Sequence, residues 1–185
     1  MERLRALAAL AALACASPAA ASAPFTLASA TFADGGTIPH SAVYNAAGCD
    51  GANISPELHW SNAPHDARSF VLVVFDPKAQ GGTGWYHWLA FDIPAALQSL
   101  PAGAGDPRSG KTPREIVFGR NDYGAPAYGG PCPPQGDGPH PYQFTIYALR
   151  VAHVPGGSGT TGTAVGALLR GEIVAHATLT GYYGR

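Results

Sequence analysis

Residues 69–76 read SFVLVVFD, a continuous run of β-branched and aromatic residues that closes on a carboxylate. Such a run is typical of a central strand that is buried on both faces of its sheet. Runs of the same style follow at Tyr86–Ile93 (YHWLAFDI) and Tyr142–Arg150 (YQFTIYALR), each bounded by glycine or proline. The pattern therefore predicts a β-rich domain organised around the strand at 69–76.

Shorter strands are predicted on either side of these runs, at Phe25–Phe32, Glu57–Ser61 and Thr178–Tyr182. One helix is predicted at Thr163–Arg170, which begins at a threonine cap and stops at a glycine. A second helical turn is expected around Glu172–Ala177. No internal repeat or linker divides the chain, so we expect one antiparallel β-sandwich with one or two short helices near its C-terminus.

Composition agrees with a β-rich globular protein and excludes several other classes. The chain has 185 residues, of which 46% are hydrophobic and only 12% are charged, so disorder is not expected. The 24 glycines and 17 prolines interrupt helices too often for a helical bundle. The formal net charge is −1, from 11 basic and 12 acidic residues, and therefore predicts no nucleic-acid partner.

The first 23 residues have the organisation of an export signal. Arg3 and Arg5 precede an apolar run at Ala6–Ala16, and small residues offer cleavage after Ala21 or Ala23. The apolar run is shorter than the about 20 residues that a transmembrane helix needs, so no membrane span is predicted. We therefore expect a periplasmic or secreted protein.

The mature chain would be a single domain at residues 24–185, with Cys49 and Cys132 as its two cysteines. An even pair in an oxidising compartment favours a disulfide, with two buried free thiols as the alternative. A minor alternative for export is a lipoprotein acylated at Cys15. No spacing typical of a metal site is present, and the sequence predicts neither a metal ion nor a cofactor.

Titratable side chains stand at the ends of the predicted strands. Asp76 closes one strand, His87 lies near the start of the next, and His140 and Tyr142 begin a third. A glycine-rich loop at 124–138 precedes the third strand, and backbone N–H groups in such loops can converge on an anion. Together these residues predict an anion-binding pocket.

Ordered motifs in the chain resemble the phosphatidylethanolamine-binding protein family, and more narrowly its bacterial branch of Raf-kinase-inhibitor-like proteins. The motifs are NISP at 53–56 with LHW at 58–60, FDP at 75–77 with GWYHW at 84–88, RNDYG at 120–124, GGPCPP at 129–134 and HPY at 140–142. The resemblance covers the chain from about Phe25 onwards. It implies a two-sheet antiparallel sandwich with Greek-key connections and a small anion pocket at one end.

Carried over residue by residue, the resemblance also implies which residues form the pocket. Trp85 would be an aromatic wall, and the backbone around Gly130 and Cys132 would contribute N–H groups. The complete set of ligand-binding residues expected is Asp76, Trp85, His87, Gly130, Cys132, His140 and Tyr142.

Two positions depart from the family's pattern. Lys78 stands where the family usually has a second acid, and Pro141 stands where an arginine is common. Lys78 either makes the rim of the pocket more favourable to anions or is a solvated loop residue. Pro141 puts in doubt any ligand or partner contact that the arginine would make.

The function expected from these observations is binding of a small anion, either a carboxylate or a phosphate-bearing molecule such as a phospholipid headgroup. A histidine paired with Asp76 would keep its charge at pH 6, so ligands should bind more tightly at pH 6 than at pH 8. Binding could inhibit or modulate a partner protein, and the resemblance suggests a homodimer. The alternatives are an interaction protein with a vestigial pocket and, less favoured, a hydrolase that uses His87 and Asp76.

Overall fold

Two antiparallel sheets form the protein in the computed structural model, which describes residues 23–185. The smaller sheet has the order β1-β2-β5 and the larger has the order β6-β4-β3-β7-β8. The predicted export signal, up to residue 22, lies outside the described residues. The strands in chain order are β1 (Thr26–Ala28), β2 (Leu58–Ser61), β3 (Ser69–Asp76), β4 (Trp85–Pro94), β5 (Ser99–Leu100), β6 (Val117–Phe118), β7 (His140–Leu149) and β8 (Ile173–Tyr183).

The connections of the larger sheet follow the Greek-key pattern that the resemblance implies. β3 and β4 pair as neighbours, β6 pairs with the outer side of β4, and β7 returns to the other side of β3. The spatial order β7-β3-β4-β6 is that of a Greek key, in which the fourth strand lies beside the first. The mainly β, two-sheet prediction is therefore confirmed.

The central strand is buried on both faces because its alternate side chains enter two different apolar clusters. Phe70, Leu72 and Val74 pack in the cluster that contains the buried residues of the smaller sheet. Val71 and Val73 pack in a second cluster on the opposite face of the larger sheet. A strand covered on both faces reads as a continuous apolar run, and this explains the pattern at 69–76.

The helical segments are short. A 3-10 turn spans His40–Ala42, α1 spans Ala79–Gly82 and α2 spans Gly162–Leu168. The second helical turn predicted at Glu172–Ala177 is wrong, because these residues form the first part of β8 and its approach. Pairing along β7 supplies hydrogen bonds in register there, and this tertiary contact overrides the local helical preference. No helix within residues 23–185 combines the length and hydropathy required for a membrane span.

Strand direction brings the candidate residues to one end of the larger sheet. β3 ends at Asp76, and the antiparallel register pairs that residue with Trp85 at the start of β4. On the other side of β3, Phe75 pairs with Gln143, close to the start of β7. The end of β3 and the beginnings of its neighbours β4 and β7 therefore lie at the same end of the larger sheet.

Candidate functional site

A cavity of about 340 Å³ opens at this end of the larger sheet. Loop residues from 132 to 137 and the turn that follows β3 complete its wall. Six of the seven residues expected to bind ligand line the cavity: Asp76, Trp85, His87, Cys132, His140 and Tyr142.

Asp76 is only 2% exposed, and both of its carboxylate oxygens are occupied by protein donors. Oδ1 accepts the backbone N–H groups of Lys78 and Ala79 at 2.8 and 3.2 Å. Oδ2 lies 2.7 Å from Nδ1 of His140. Asp76 therefore closes the turn after β3 and orients His140, and its oxygens face protein donors on both sides.

His140 is held between two carboxylates. Its Nδ1 faces Asp76, and its Nε2 lies 3.2 Å from Oδ2 of Asp137, whose side chain is about half exposed. Both contacts are hydrogen bonds only when both ring nitrogens carry a proton, because a carboxylate oxygen can only accept. In that form of the ring, Nε2 would donate to an incoming anion at the cavity.

His87 has a different environment from His140, although the sequence alone does not distinguish the two histidines. Its Nδ1 lies 2.7 Å from the carbonyl oxygen of Gly129, so Nδ1 carries the proton and donates it. Burial lowers the pKa of His87, and the carbonyl of Gly129 and the charge of Asp76 oppose this effect only in part. The ring is therefore neutral near pH 7, and Nε2 is an acceptor.

The pairing of His87 with Asp76, which a hydrolase would need, is not formed. Asp76 is bonded to His140 instead, while the N–H of His87 is taken by the carbonyl of Gly129. The reason is sheet geometry: Asp76 lies opposite Trp85, two residues before His87 on β4, whereas His140 begins the strand on the other side of β3.

Two buried donors in the cavity wall have no hydrogen-bond partner in the described part of the chain. They are the hydroxyl of Tyr142 and the indole N–H of Trp85. Burial raises the pKa of Tyr142, and the negative charge of Asp76 raises it further, so the phenol stays protonated. An unpaired buried donor is costly, and it is therefore a sign that the site is completed by something else.

The loop at 129–134 contributes fewer backbone donors than expected. The N–H of Gly130 donates to Oδ1 of Asn53 at 2.7 Å, so this group faces away from a ligand. A Cβ atom at Gly130 would lie 2.1 Å from the carbonyl oxygen of Ala42, which shows that glycine is needed here for close backbone packing. The N–H of Cys132 is the group of this loop that donates to no protein acceptor among the described residues.

Seven residues of the cavity wall were not expected from the sequence to bind ligand, and Tyr123 and Asp137 are two of them. Tyr123 stacks on Tyr44 with ring centroids 3.9 Å apart and meets the rings of Trp85 and His87 edge-on. It belongs to the RNDYG motif at 120–124, which was a usable signal. Asp137 lies in the glycine-rich loop and carries no local pattern that distinguishes it from a turn residue.

Lys78 is an exposed residue of the turn that follows β3. Its ammonium group donates to the backbone carbonyls of Asp137 at 2.6 Å and Pro139 at 3.4 Å. The lysine therefore ties the turn after β3 to the loop before β7 and holds the two sides of the pocket together.

The expected disulfide joins Cys49 to Cys132. It fixes the cavity loop to the segment that follows the 3-10 turn. Arg185 reinforces the same junction, because its guanidinium donates to the carbonyls of Pro133 and Gly48.

Comparison with known proteins agrees with the fold and the motifs. A family model described as phosphatidylethanolamine-binding protein matches residues 28–184. The UPF0098 protein YbcL of Escherichia coli is 41% identical over 164 residues, covering 89% of this chain and 90% of YbcL. LppC of Mycobacterium tuberculosis, named as a lipoprotein, is 42% identical over 135 residues, covering 73% of this chain and 60% of LppC.

A solved structure gives the same result. The crystal structure of YbcL, described as a new member of the mammalian PEBP family, matches with a TM-score of 0.84 at 40% identity, over 88% of this chain and 99% of YbcL. Because sequence, fold and motif order agree along the described domain, the chain belongs to the phosphatidylethanolamine-binding protein family, in its bacterial branch.

Proposed function

We propose that the protein reversibly binds a small anion, carrying a phosphate or carboxylate group, in the pocket at the end of the larger sheet. The observation that carries this proposal is the pair of buried donors without partners, the Tyr142 hydroxyl and the Trp85 indole N–H, beside Nε2 of His140. All three residues line the same cavity, so an oxyanion bound there could accept hydrogen bonds from them. Hydrogen bonds to charged groups contribute about 1.5–3 kcal/mol each.

We propose binding without turnover. Among the described lining residues there is no serine, threonine or lysine, and the cysteine is held in a disulfide. Burial raises the pKa values of Tyr123 and Tyr142, which makes both phenols poor nucleophiles. His87 is oriented by a carbonyl rather than by a carboxylate, so it lacks the partner that would strengthen it as a general base.

We propose that the protein is exported and works in the periplasm or outside the cell. The organisation of the first 23 residues, the disulfide, and the name of the relative LppC support this location. In that compartment, occupancy of the pocket would inhibit or modulate a partner protein. The competing proposal is an interaction protein that acts through its surface, and the homodimer expected from the resemblance stays a prediction that sedimentation would check.

The test is calorimetric titration of the mature domain with acetate and with methyl phosphate, on the wild type and two tyrosine variants. Tyr142→Phe removes only a hydroxyl that has no protein partner, so stability should hold while affinity falls about tenfold. Tyr182→Phe is the matched control, because Tyr182 is 40% exposed and lies outside the cavity lining.

Equal affinity in all three proteins, or no binding in any, would favour the surface-acting alternative. Phosphorus NMR of the methyl phosphate samples separates binding from catalysis. Accumulation of inorganic phosphate that stops in His87→Ala would replace the binding proposal with a hydrolase.

A further inference from the structure

Among the groups that line the pocket, Nε2 of His87 is an uncharged hydrogen-bond acceptor, in addition to the carboxylates of Asp76 and Asp137. The proton of the ring is fixed on Nδ1 by the carbonyl of Gly129 at 2.7 Å. His87 lines the cavity and is 2% exposed, and Nε2 has no partner among the described residues. A ligand oxygen that approaches this nitrogen must bring its own proton, because two lone pairs repel each other.

Burial keeps the His87 ring neutral despite the negative charges around it. Desolvation is the largest influence, and it lowers the pKa of His87 below the ordinary value of 6.5. Two nearby carboxylates, Asp76 and Asp122, act in the opposite direction without overcoming burial. The titratable groups that face His87 or share its cavity are Asp76 from β3, Asp122 and Tyr123 from the loop after β6, Asp137 from the loop before β7, and His140 and Tyr142 from β7.

We propose that His87 makes the pocket selective for anions that carry a proton on one of their oxygens. The pocket would therefore bind the monoanion of a phosphomonoester in preference to an isomeric phosphodiester. This inference rests on the proposed function of anion binding. A phosphomonoester monoanion carries one P–OH group, which can donate to His87. Its remaining oxygens share one negative charge and can accept from Tyr142, Trp85 and His140.

Other oxyanions match this arrangement less well. A carboxylate is fully deprotonated near neutral pH and presents only lone pairs to His87. A phosphodiester carries the same single charge as the monoanion of a monoester, but it has no P–OH group. The second ionisation of a phosphomonoester lies near pH 6, so the preferred form is abundant in mildly acidic solution and scarce at pH 8.

The decisive experiment compares ethyl phosphate with dimethyl phosphate by titration calorimetry at pH 5.5, in a buffer free of phosphate and carboxylate. The two ligands are isomers, and at this pH both are mainly monoanions. They differ in whether one oxygen carries a proton. We expect ethyl phosphate to bind the mature domain about tenfold more tightly.

Two substitutions at His87 test whether its Nε2 acceptor causes the preference for ethyl phosphate. His87→Asn places its amide nitrogen near the position of Nδ1, so it can keep the bond to Gly129 while removing the acceptor. The preference for ethyl phosphate should then fall to about one. His87→Gln places an amide oxygen near the position of Nε2 and should retain the preference. A second titration series at pH 8 should reduce the affinity for ethyl phosphate relative to dimethyl phosphate, which is a monoanion at both pH values.

The outcomes separate this inference from the proposed function. Absence of binding by either isomer would overturn both. Equal affinities for the two isomers in the wild type would overturn proton selectivity alone and leave anion binding in place. If His87→Asn fails to fold, the wild-type comparison of isomers and the glutamine variant still decide between these outcomes.

Discussion

Nε2 of His140 lies 3.2 Å from Oδ2 of Asp137, so a carboxylate of the protein already occupies the histidine donor at the mouth of the pocket. Asp137 is about half exposed, whereas His140 is buried. Asp137 is therefore the solvent-exposed member of the pair. Its oxygen lies where the oxygen of a ligand would accept a hydrogen bond from Nε2 of His140.

Asp137→Asn should tighten the binding of anions. The substitution removes one negative charge next to His140, and a unit charge at this distance contributes about 1 kcal/mol or more at a partly solvated site. We expect about a tenfold gain in affinity for methyl phosphate. Asp66→Asn is the matched control, because it removes an exposed charge outside the cavity lining. Unchanged or weaker binding in the Asp137 variant would contradict the competition between aspartate and ligand.

Asp76→Ala should destabilise the fold. It leaves the buried His140 without its 2.7 Å partner and removes the acceptor of two backbone N–H groups after β3. Leaving a buried donor without its acceptor costs about 1–3 kcal/mol for each group. Urea unfolding measures this loss, and Asp76→Asn should lose less because its amide oxygen still accepts. A loss below that of a typical surface substitution would show that Asp76 does not organise the site.

Stability should fall in mild acid because of His87. Burial lowers the pKa of the folded-state ring below 6.5, so below pH 6.5 the unfolded chain binds a proton that the folded protein does not. The contribution of this ring is therefore present above pH 6.5 and is lost as the pH falls towards the folded pKa. From pH 7.5 to 5.5, the free energy of unfolding of the wild type should decrease relative to that of His87→Asn, by at most about 1.4 kcal/mol, which is the limit set by the ordinary pKa of 6.5. If the free energy of unfolding changed with pH by the same amount in the two proteins, a neutral buried ring at His87 would be excluded.

The disulfide should support both stability and binding. Cys49 and Cys132 are 83 positions apart, and closing a loop of this length contributes about 4 kcal/mol in the chain-entropy model. The double variant Cys49→Ser, Cys132→Ser should lose an amount of this order in urea unfolding. It should also bind methyl phosphate more weakly, because Cys132 lies in the cavity wall. Wild-type affinity in the double variant would show that the bond stabilises the fold without shaping the pocket.

Gly130→Ala should disturb the loop behind the pocket. The new Cβ would overlap the carbonyl oxygen of Ala42, and its three nearest atoms all belong to the backbone of residues 42–44, which has little room to move. Overpacking of this kind costs about 1–3 kcal/mol. At Gly157 a Cβ would meet nothing within 4 Å, so Gly157→Ala serves as the control and should change stability by less than about 0.5 kcal/mol. Equal stabilities of the two variants would contradict the close approach.

Local sequence determined the strands that carry the pocket. The apolar run at 69–76 coincides with β3, and the predicted strands at 86–93 and 142–150 differ from β4 and β7 by at most two residues at either end. β3 is readable because a strand covered on both faces needs an uninterrupted apolar run, whereas β7 is readable because its buried and half-buried positions alternate. The motifs also identified six of the residues that line the cavity.

Tertiary structure determined the secondary structure of the segments in which local preference and long-range pairing disagreed. A helical turn was expected at residues 172–177, but 173–177 belong to β8 because β7 pairs with them, with a register shift between Ala148 and Leu149. The two-residue strands β5 and β6 are too short to leave a pattern, and they exist only as partners of β2 and β4.

The assignment of partners within the site was also a tertiary decision. Sequence placed Asp76 and two histidines near one another, but residue type alone did not distinguish which histidine would pair with the carboxylate. Sheet register and the path of the 129–138 loop place His140 beside Asp76 and place His87 beside the carbonyl of Gly129. Towards the cavity, Nε2 of His87 is therefore an acceptor, whereas Nε2 of His140 is a donor when it is protonated. A hydrogen bond depends on distances within a few tenths of an ångström, and these are set by how distant segments pack rather than by any local pattern.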